Sequence, residues 1–263
     1  MIEALYQHYI QSKQISTDTR KIEAGSIFFA LKGPNFNANA FAAEALEKGA
    51  TLAVIDEEKY RVDDRYFLVD DVLQTLQELA NYHRHKLNIP IIGLTGSNGK
   101  TTSKELLATV LSKKYNVCAT QGNLNNHIGV PLTLLSITDE HDIAIIEMGA
   151  NAVGEIAFLC KIAEPTHGFI TNIGKAHIEG FGGFEGIIRG KSELYQHLIQ
   201  SNGTVWINSQ NDILSNMAKR FKNPYFYPAK GDYYHCELID ASPFVLIATE
   251  NQRVQTQLIG SYN

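Results

Sequence analysis

The sequence predicts an α/β protein in which a small N-terminal α/β unit precedes a P-loop unit with a mostly parallel sheet flanked by helices. Short apolar runs of strand length alternate with segments of helical period, which is typical of parallel sheets covered on both faces. A glycine-rich turn joins one such run to a helix that begins with Lys-Thr. The length of 263 residues suits two domains, each with enough apolar residues for a core.

The first predicted unit spans residues 1–88. Its apolar runs predict strands, and its segments of 3.6-residue period predict helices. The strands are expected at 27–31, 52–55 and 66–69, and the helices at 40–48 and 72–87. Pro90 cannot continue the second helix, so we place the boundary between the units near residue 88. We expect His83, Arg84 and His85 on the exposed face of that helix.

The second predicted unit spans residues 89–263. Further strands are expected at 89–92, 143–146, 168–171, 204–208 and 244–248, with helices at 102–111 and 155–163. In the first of these helices the apolar side chains share one face: Leu106, Leu107, Val110 and Leu111.

Composition excludes several classes of function. The net charge of −5 argues against a nucleic-acid partner, because such proteins concentrate Lys and Arg on one face. The three cysteines are far apart and lack zinc-site spacing, so reduced thiols are expected. The N-terminus lacks the pattern of a signal peptide, and no apolar run is long enough to cross a membrane. We therefore expect a cytoplasmic protein with no membrane partner.

The turn between the strand at 89–92 and the helix at 102–111 predicts a phosphate-binding loop. Its residues are Thr95, Gly96, Ser97, Asn98, Gly99, Lys100, Thr101 and Thr102. Backbone N–H groups and the positive end of the helix favour a polyphosphate, Lys100 can bridge the terminal phosphates, and Thr101 can hold magnesium. The common spacing places a glycine where this chain has Leu94. Binding of ATP or GTP is predicted.

Three further residues could act on a bound nucleotide. Glu147 directly follows an apolar strand, which places it at the carboxyl edge of the sheet, where a carboxylate completes a magnesium shell. His177 lies in a glycine-rich segment and could bind a second metal ion. Lys191 lies in a predicted helix and, by its local sequence alone, is expected to be solvated.

Residues 122–131 form a loop rich in side-chain amides ahead of a helix. Asn123, Asn125 and Asn126 suit turn geometry, and they also offer donors and acceptors for a sugar, peptide or phosphate. Composition alone favours neither interpretation.

Four segments together resemble the Mur ligases of bacterial cell-wall synthesis, most closely the MurF type. They are residues 95–102, 122–133, 147–150 and 176–179, of which the amide-rich loop indicates the MurF type. Residues 16–20 and 29–33 resemble the UDP-binding segments of the family. Where the family commonly has Asp-Gly-His-x-Phe, this chain has Asn37-Ala38-Asn39-Ala40-Phe41.

The resemblance implies an ATP-dependent, ADP-forming ligase that adds D-alanyl-D-alanine to UDP-N-acetylmuramoyl-tripeptide through an acyl phosphate, with Mg²⁺. It implies that Lys100 holds the β- and γ-phosphates, that Thr101 and Glu147 hold one magnesium ion, and that His177 holds a second. Lys191 matches the family lysine that becomes a metal-binding carbamate. The residues matching the segment near adenine are Asn208, Asn211 and Asp212; those implied in substrate binding are Ser16, Thr19, Arg20, Lys32, Gly33, Asn123, Asn125 and Asn126.

Residues 258–263 resemble the end of the central domain of the family. We therefore expect that a third domain, which would carry D-alanyl-D-alanine, is absent from this chain, and that the chain alone ligates poorly. A monomer is expected. Two alternatives remain at this stage: a sister Mur or folylpolyglutamate-type ligase, and a non-catalytic module that binds nucleotide to control a partner.

Overall fold

The computed structural model describes residues 1–12 and 14–260, so the last three residues of the 258–263 segment lie outside the described residues. The first unit contains α1 (Ile2–Ser12), β1 (Ile15–Ser16), β2 (Ile27–Phe29), β3 (Lys32–Gly33), β4 (Phe36–Asn37), α2 (Ala42–Glu47), β5 (Leu52–Ile55), β6 (Tyr66–Leu68) and α3 (Val72–Arg84). Strands β1, β2, β5 and β6 form a parallel sheet in the order β1-β2-β5-β6, and β3 and β4 form an antiparallel hairpin. The predicted strands and helices of this unit are confirmed to within a few residues at their ends.

The second unit is built on a six-stranded parallel sheet. Its elements are β7 (Ile91–Thr95), α4 (Lys100–Leu111), β8 (Val117–Ala119), α5 (Gly129–Leu134), β9 (Ile143–Glu147), α6 (Glu155–Ala163), β10 (His167–Ile170), α7 (Ile178–Phe181), α8 (Phe184–Gln200), β11 (Thr204–Asn208), α9 (Asp212–Ala218) and β12 (Tyr225–Tyr227). The strand order is β12-β11-β10-β7-β9-β8. The chain runs from β7 to one side of the sheet and crosses to the other side at β10. Ligands of such sheets bind at this switch point, outside the carboxyl ends of the strands.

A small antiparallel sheet follows the parallel one. It consists of β13 (Cys236–Asp240), β14 (Leu246–Thr249) and β15 (Arg253–Gln255). The strand expected at 244–248 is therefore present, shifted by two residues at its start. Within residues 1–12 and 14–260, none of the helices has both the length and the apolar character needed to span a bilayer.

Helix α3 packs against β2 of the first sheet and against helices α5 and α6 of the second unit. Its Leu76 and Leu79 are fully buried in one core cluster with Leu134 and Ile146 of the second unit. This position contradicts the expectation that His83 and Arg84 lie on an exposed face, because both are buried. The His83 ring lies 2.9 Å from the Ile137 carbonyl oxygen, and Arg84 Nε donates to the Ala163 carbonyl oxygen at 3.0 Å. The polar run at the end of α3 therefore joins the units.

The predicted apolar face of α4 is present but only partly covered. Leu106 is 38% exposed and Val110 67% exposed. Together with Ile92, Phe169 and Trp206 on the sheet, this face lines an open apolar groove of about 970 Å³. The periodicity predicted the helix correctly, whereas the burial of its face depends on which segments pack against it.

Candidate nucleotide and metal site

Four strands of the parallel sheet deliver polar residues to one edge. The loop at 96–99 follows β7, Glu147 ends β9, the loop at 171–174 follows β10, and Asn208 ends β11. Because these strands are parallel, their carboxyl ends meet at the same side of the sheet. Topology thus gathers segments that are more than 100 residues apart in the chain.

The loop at 96–99 has the backbone of a phosphate cradle. Gly99 has φ 74°, a left-handed conformation that favours glycine, and α4 begins at the next residue. Lys100 is half-buried, and its Nζ donates to the carbonyl oxygens of Gly96 (3.0 Å) and Ser97 (3.3 Å). Burial lowers the pKa of Lys100, and the nearby Glu147 carboxylate opposes this effect. The amine lies against the loop in which phosphate groups are expected.

The loop after β10 braces this cradle. Thr171 Oγ1 donates to the Asn98 carbonyl oxygen at 2.6 Å, and Asn172 Oδ1 accepts from the Asn98 N–H at 3.1 Å. Gly174 exchanges two hydrogen bonds of 2.9 Å with Ser97 Oγ. These bracing roles of Thr171, Asn172 and Gly174 were missed by the sequence analysis. The available signal was a run of polar residues directly after a buried strand.

Two predicted cradle residues use their side chains within the protein. Thr95 is fully buried, and its Oγ1 donates to the Met148 carbonyl oxygen at 2.7 Å. Ser97 Oγ is engaged by Gly174, as described above. Any contact of Thr95 with a nucleotide would therefore involve its backbone. Asn98 is exposed, and Thr102 lies in the first turn of α4.

Glu147 is buried at this edge of the sheet, and only one of its carboxylate oxygens is hydrogen-bonded. Its Oε1 accepts from Asn125 Nδ2 at 2.7 Å and from Thr101 Oγ1 at 3.4 Å. Its Oε2 is shielded from solvent and has no hydrogen-bond partner within the described structure. A buried carboxylate oxygen without a donor is costly, so this oxygen would be stabilised by a hydrogen-bond donor or a cation. Together with the Thr101 hydroxyl, it is a hard oxygen donor of the kind that magnesium prefers.

Lys191 contradicts the expectation of a solvated lysine, because only 2% of it is exposed. Its Nζ donates to the Ala150 carbonyl oxygen at 3.2 Å and lies 5.1 Å from the centre of the Phe181 ring. Burial lowers the pKa of Lys191 to about 8, and the positive charge of Lys100 adds to this effect. The positive charges of Lys100 and Lys191 therefore repel each other.

His177 is exposed. It has a left-handed backbone (φ 55°) and precedes α7, whose Phe181 packs against Lys191. Among residues 1–12 and 14–260, no three His, Cys, Asp or Glu side chains form a group able to hold a metal ion. A metal ion at this edge would therefore need ligands from hydroxyl groups, phosphates or a modified lysine.

The residues implied near adenine lie at the end of β11 and the start of α9. Asn208 Oδ1 accepts from the Gln210 N–H at 3.0 Å, and Asn211 Oδ1 caps α9 by accepting from the Leu214 N–H at 3.1 Å. Asp212 is exposed in the first turn of α9. This turn is at the same sheet edge as the phosphate loop, with β10 between them.

The three amides of the loop after β8 have different environments. Asn123 is exposed, Asn126 accepts through Oδ1 from the Ile128 and Gly129 N–H groups, and Asn125 binds Glu147. Asn126 therefore holds the turn that leads into α5, and Asn123 alone of the three makes no side-chain hydrogen bond among the described contacts.

The predicted substrate residues of the first unit lie around its own sheet edge. Ser16 Oγ donates to the Asp18 carbonyl oxygen, and Thr19 and Arg20 lie in a short 3-10 helix. Arg20 is exposed, and its guanidinium holds the pKa of Asp18 well below its usual range. Lys32, next to Gly33 in β3, forms an ion pair with Asp56 at 3.0 Å.

Asn39 and Asp56, which the sequence analysis did not select as site residues, hold this edge together. Asn39 is 1% exposed. Its Nδ2 donates to Asp56 Oδ1 at 2.8 Å, and its Oδ1 accepts from the Asp56 N–H at 3.0 Å. This reciprocal pair links the segment after the β3–β4 hairpin to the end of β5.

Comparisons with known proteins match both units. Residues 94–263 match the Mur ligase middle domain, and residues 11–84 match the Mur ligase family, catalytic domain. The UDP-N-acetylmuramoyl-tripeptide--D-alanyl-D-alanine ligase of Haemophilus influenzae is 37% identical over 266 residues, which cover 97% of this chain and 57% of that protein.

Two solved structures agree with these matches. MurF from Acinetobacter baumannii aligns with a TM-score of 0.82 and 33% identity, covering all of this chain and 61% of that chain. MurF from Thermotoga maritima in complex with ADP aligns with a TM-score of 0.81 and 30% identity, covering 94% of this chain and 58% of that chain. The chain thus spans between half and two thirds of the length of these relatives.

Proposed function

The chain belongs to the Mur ligase family, and from this premise we propose that it supplies the nucleotide-sugar and ATP sites of a MurF-type ligase. The ligase would add D-alanyl-D-alanine to UDP-N-acetylmuramoyl-tripeptide and form ADP. The observation that carries the proposal is the buried, unpartnered Oε2 of Glu147 beside the phosphate loop. Relatives named as UDP-N-acetylmuramoyl-tripeptide--D-alanyl-D-alanine ligases support the choice of these two substrates.

In this proposal residues 89–263 bind ATP and residues 1–88 bind the UDP moiety. Backbone N–H groups of residues 96–102 would surround the phosphates, and Lys100 would leave the loop carbonyls to hold the β- and γ-phosphates. Asn208, Asn211 and Asp212 would lie near adenine. The ADP complex of the Thermotoga maritima relative supports a nucleotide site in this fold.

Thr101 and Glu147 fit a first magnesium ion, because both present oxygen donors and one of these is buried without a partner. His177 and Lys191 are proposed for a second ion. Bound magnesium would neutralise charge on the transferred phosphate group. The protein residues would hold and orient the reactants, since phosphoryl transfer depends mainly on positioning and charge stabilisation.

The buried amine of Lys191 supports a carbamate at this position. With its pKa lowered to about 8, a larger share of the amine is neutral near neutral pH than in a solvated lysine. The neutral amine can add to the carbon of CO₂, forming a C–N bond while the nitrogen releases a proton. The product is an anionic carbamate whose oxygens can bind a metal ion.

For the whole enzyme we propose two steps. The tripeptide carboxylate attacks the γ-phosphorus of ATP, so ADP leaves and an acyl phosphate forms. The amine of D-alanyl-D-alanine then attacks the acyl carbon, inorganic phosphate leaves and the amine loses a proton. Ser16, Thr19, Arg20, Lys32 and Gly33 would hold the UDP end, and Asn123 and Asn126 would face the peptide end.

Calorimetric titration of this chain tests the proposal. UDP-N-acetylmuramoyl-tripeptide and the magnesium complex of a non-hydrolysable ATP analogue are titrated separately. Binding of both is expected, and Glu147→Gln is expected to weaken only the magnesium–nucleotide titration. Nucleotide binding without binding of the UDP-sugar would contradict the proposed substrate, and failure of both would refute the proposed sites.

A further inference from the structure

The amide of Asn125 is bound to the carboxylate proposed to hold magnesium. Its Nδ2 donates to Glu147 Oε1 at 2.7 Å, which is the shorter of the two hydrogen bonds that this oxygen accepts. Asn125 lies 22 residues before Glu147, in the loop between β8 and α5. The contact therefore joins two separate loops at the edge of the sheet.

This hydrogen bond distinguishes the two carboxylate oxygens. Oε1 accepts from Asn125 and Thr101, whereas Oε2 is buried and has no partner within the described chain. The Glu147 main chain is also held, because its N–H donates to Thr120 Oγ1 at 3.0 Å. With the backbone and one oxygen fixed, rotation of the carboxylate is restricted and Oε2 remains the available ligand atom.

Asn125 is itself held in place. Its carbonyl oxygen accepts from the Gly149 N–H at 2.7 Å. A methyl group on Gly149 would lie 2.7 Å from Asn125 Oδ1, so only glycine leaves room for the amide in its present position. The segment after β9 thus anchors the Asn125 backbone and leaves space for its side chain.

We propose that Asn125 is a positioning residue for Glu147, which fixes Oε1 so that Oε2 faces the metal ion, and is not a direct substrate contact. The inference rests on the proposed metal role of Glu147. Residues that orient a metal ligand through hydrogen bonds reduce the motion lost on binding, and their removal typically lowers metal affinity 10- to 100-fold.

Titrations with ADP separate this role from a general structural role. The affinity of the chain for ADP is measured with Mn²⁺ and with EDTA, and the ratio gives the gain due to the metal ion. Asn125→Leu retains the approximate size of the side chain but removes the amide. We expect this variant to lower the metal-dependent gain about tenfold and to change metal-free ADP affinity less than twofold.

Two further variants sharpen the test. Gly149→Ala is expected to reduce the gain in the same way, because its methyl group displaces the Asn125 amide. Gln121→Leu is the matched control. Gln121 is exposed in the same loop, and its amide contacts the Ala119 carbonyl oxygen and not Glu147. The metal-dependent gain in ADP affinity of this variant is expected to match that of the wild type. Thermal unfolding checks that each variant is folded.

An unchanged metal-dependent gain in folded Asn125→Leu would overturn the inference. Equal losses with Mn²⁺ and with EDTA would also overturn it, because they would indicate a general distortion of the loop. The Glu147→Gln variant shows whether the positioning role of Asn125 or the proposed metal site is wrong. If it abolishes the gain while Asn125→Leu does not, only the positioning role is wrong; if it leaves the gain intact, the proposed metal site is wrong as well.

Discussion

The polar groups around the two parallel sheets differ in how completely they are paired. At the edge of the first sheet, Lys32 is bound to Asp56, and this hydrogen bond together with the Asp56 charge raises the pKa of Lys32. At the second site, Lys191 has no ion pair within the described structure, and burial lowers its pKa to about 8. One lysine is stabilised as a cation by the fold, whereas the other is destabilised as a cation.

The carboxylates show the same contrast. The Asp56 side chain is 3% exposed and is bound by Lys32 and Asn39, whereas Glu147 has one buried oxygen without a partner. A satisfied network stabilises the fold, while unsatisfied buried groups cost stability that a ligand can restore. We therefore infer a structural role for the Asn39–Asp56 pair, and under the proposed function the unpaired groups of Glu147 and Lys191 serve ligand binding.

The largest effect is expected from the amine of the phosphate loop. Lys100→Met should lower nucleotide affinity about 100-fold, because hydrogen bonds to charged groups contribute about 1.5–3 kcal/mol each. Calorimetry with ADP and magnesium measures the change. Lys113→Met, an exposed lysine beyond the end of α4, is the control and should bind normally. Normal ADP binding by Lys100→Met would mean that the Lys100 amine does not contact the nucleotide.

The next effect is a pH dependence of the unfolding free energy, which arises because Lys191 has a lower pKa in the folded chain than in the unfolded chain. Between pH 8 and the unfolded pKa near 10.5, the unfolded chain binds more protons than the folded chain, so stability rises with pH. The penalty of burying the cation is fully present below pH 8 and is relieved above it. From pH 7 to pH 10, the unfolding free energy of the wild type should rise by about 2–3 kcal/mol relative to Lys191→Met.

Urea unfolding of both proteins, in CO₂-free buffer with EDTA, measures this difference and cancels the titration of other groups. A constant difference across the range would mean that Lys191 is not desolvated.

A smaller effect is expected at the paired network. Asn39→Leu removes the amide that bonds both the carboxylate and the N–H of Asp56, so the free energy of unfolding should fall by about 2 kcal/mol. Affinity for magnesium–ADP should remain within twofold of the wild type. Urea unfolding and calorimetry measure the two quantities, with the exposed Asn216→Leu as control. Weakened nucleotide binding with unchanged stability would mean that the Asn39–Asp56 pair serves nucleotide binding and not the stability of the fold.

The smallest effect on stability is expected at Arg20. Its side chain is 84% exposed and its guanidinium pairs only with Asp18 among the described residues, so Arg20→Ala should leave the melting temperature unchanged. Any loss of affinity for the UDP-sugar in this variant would then reflect a direct contact. A clear fall in melting temperature would instead make Arg20 part of the structural network.

Local patterns predicted many of the strands and helices, because the two have different periods of apolar residues. Helices α1 and α9 and short strands such as β1 and β8 were not predicted. The strand, glycine turn and Lys-Thr helix start around Gly99 were read without knowledge of any partner segment. The position of Glu147 at a sheet edge also followed from one apolar run. Such features depend on residues that are adjacent in the chain.

Burial and pairing were less predictable. Lys191, His83 and Arg84 have the local sequence of exposed helical residues, yet they are buried because distant segments pack over them. The apolar face of α4 had the pattern of a core face, yet Val110 is 67% exposed.

The sequence by itself indicated the main strands and helices, the glycine-rich loop before α4 and the family resemblance, since these depend on local spacing and residue type. Only the tertiary structure decided that Asn125 holds Glu147, that Asn39 satisfies Asp56, and that Lys191 loses its hydration. Each of these outcomes depends on contacts across loops or helices, where neighbouring groups set hydration and hydrogen bonding.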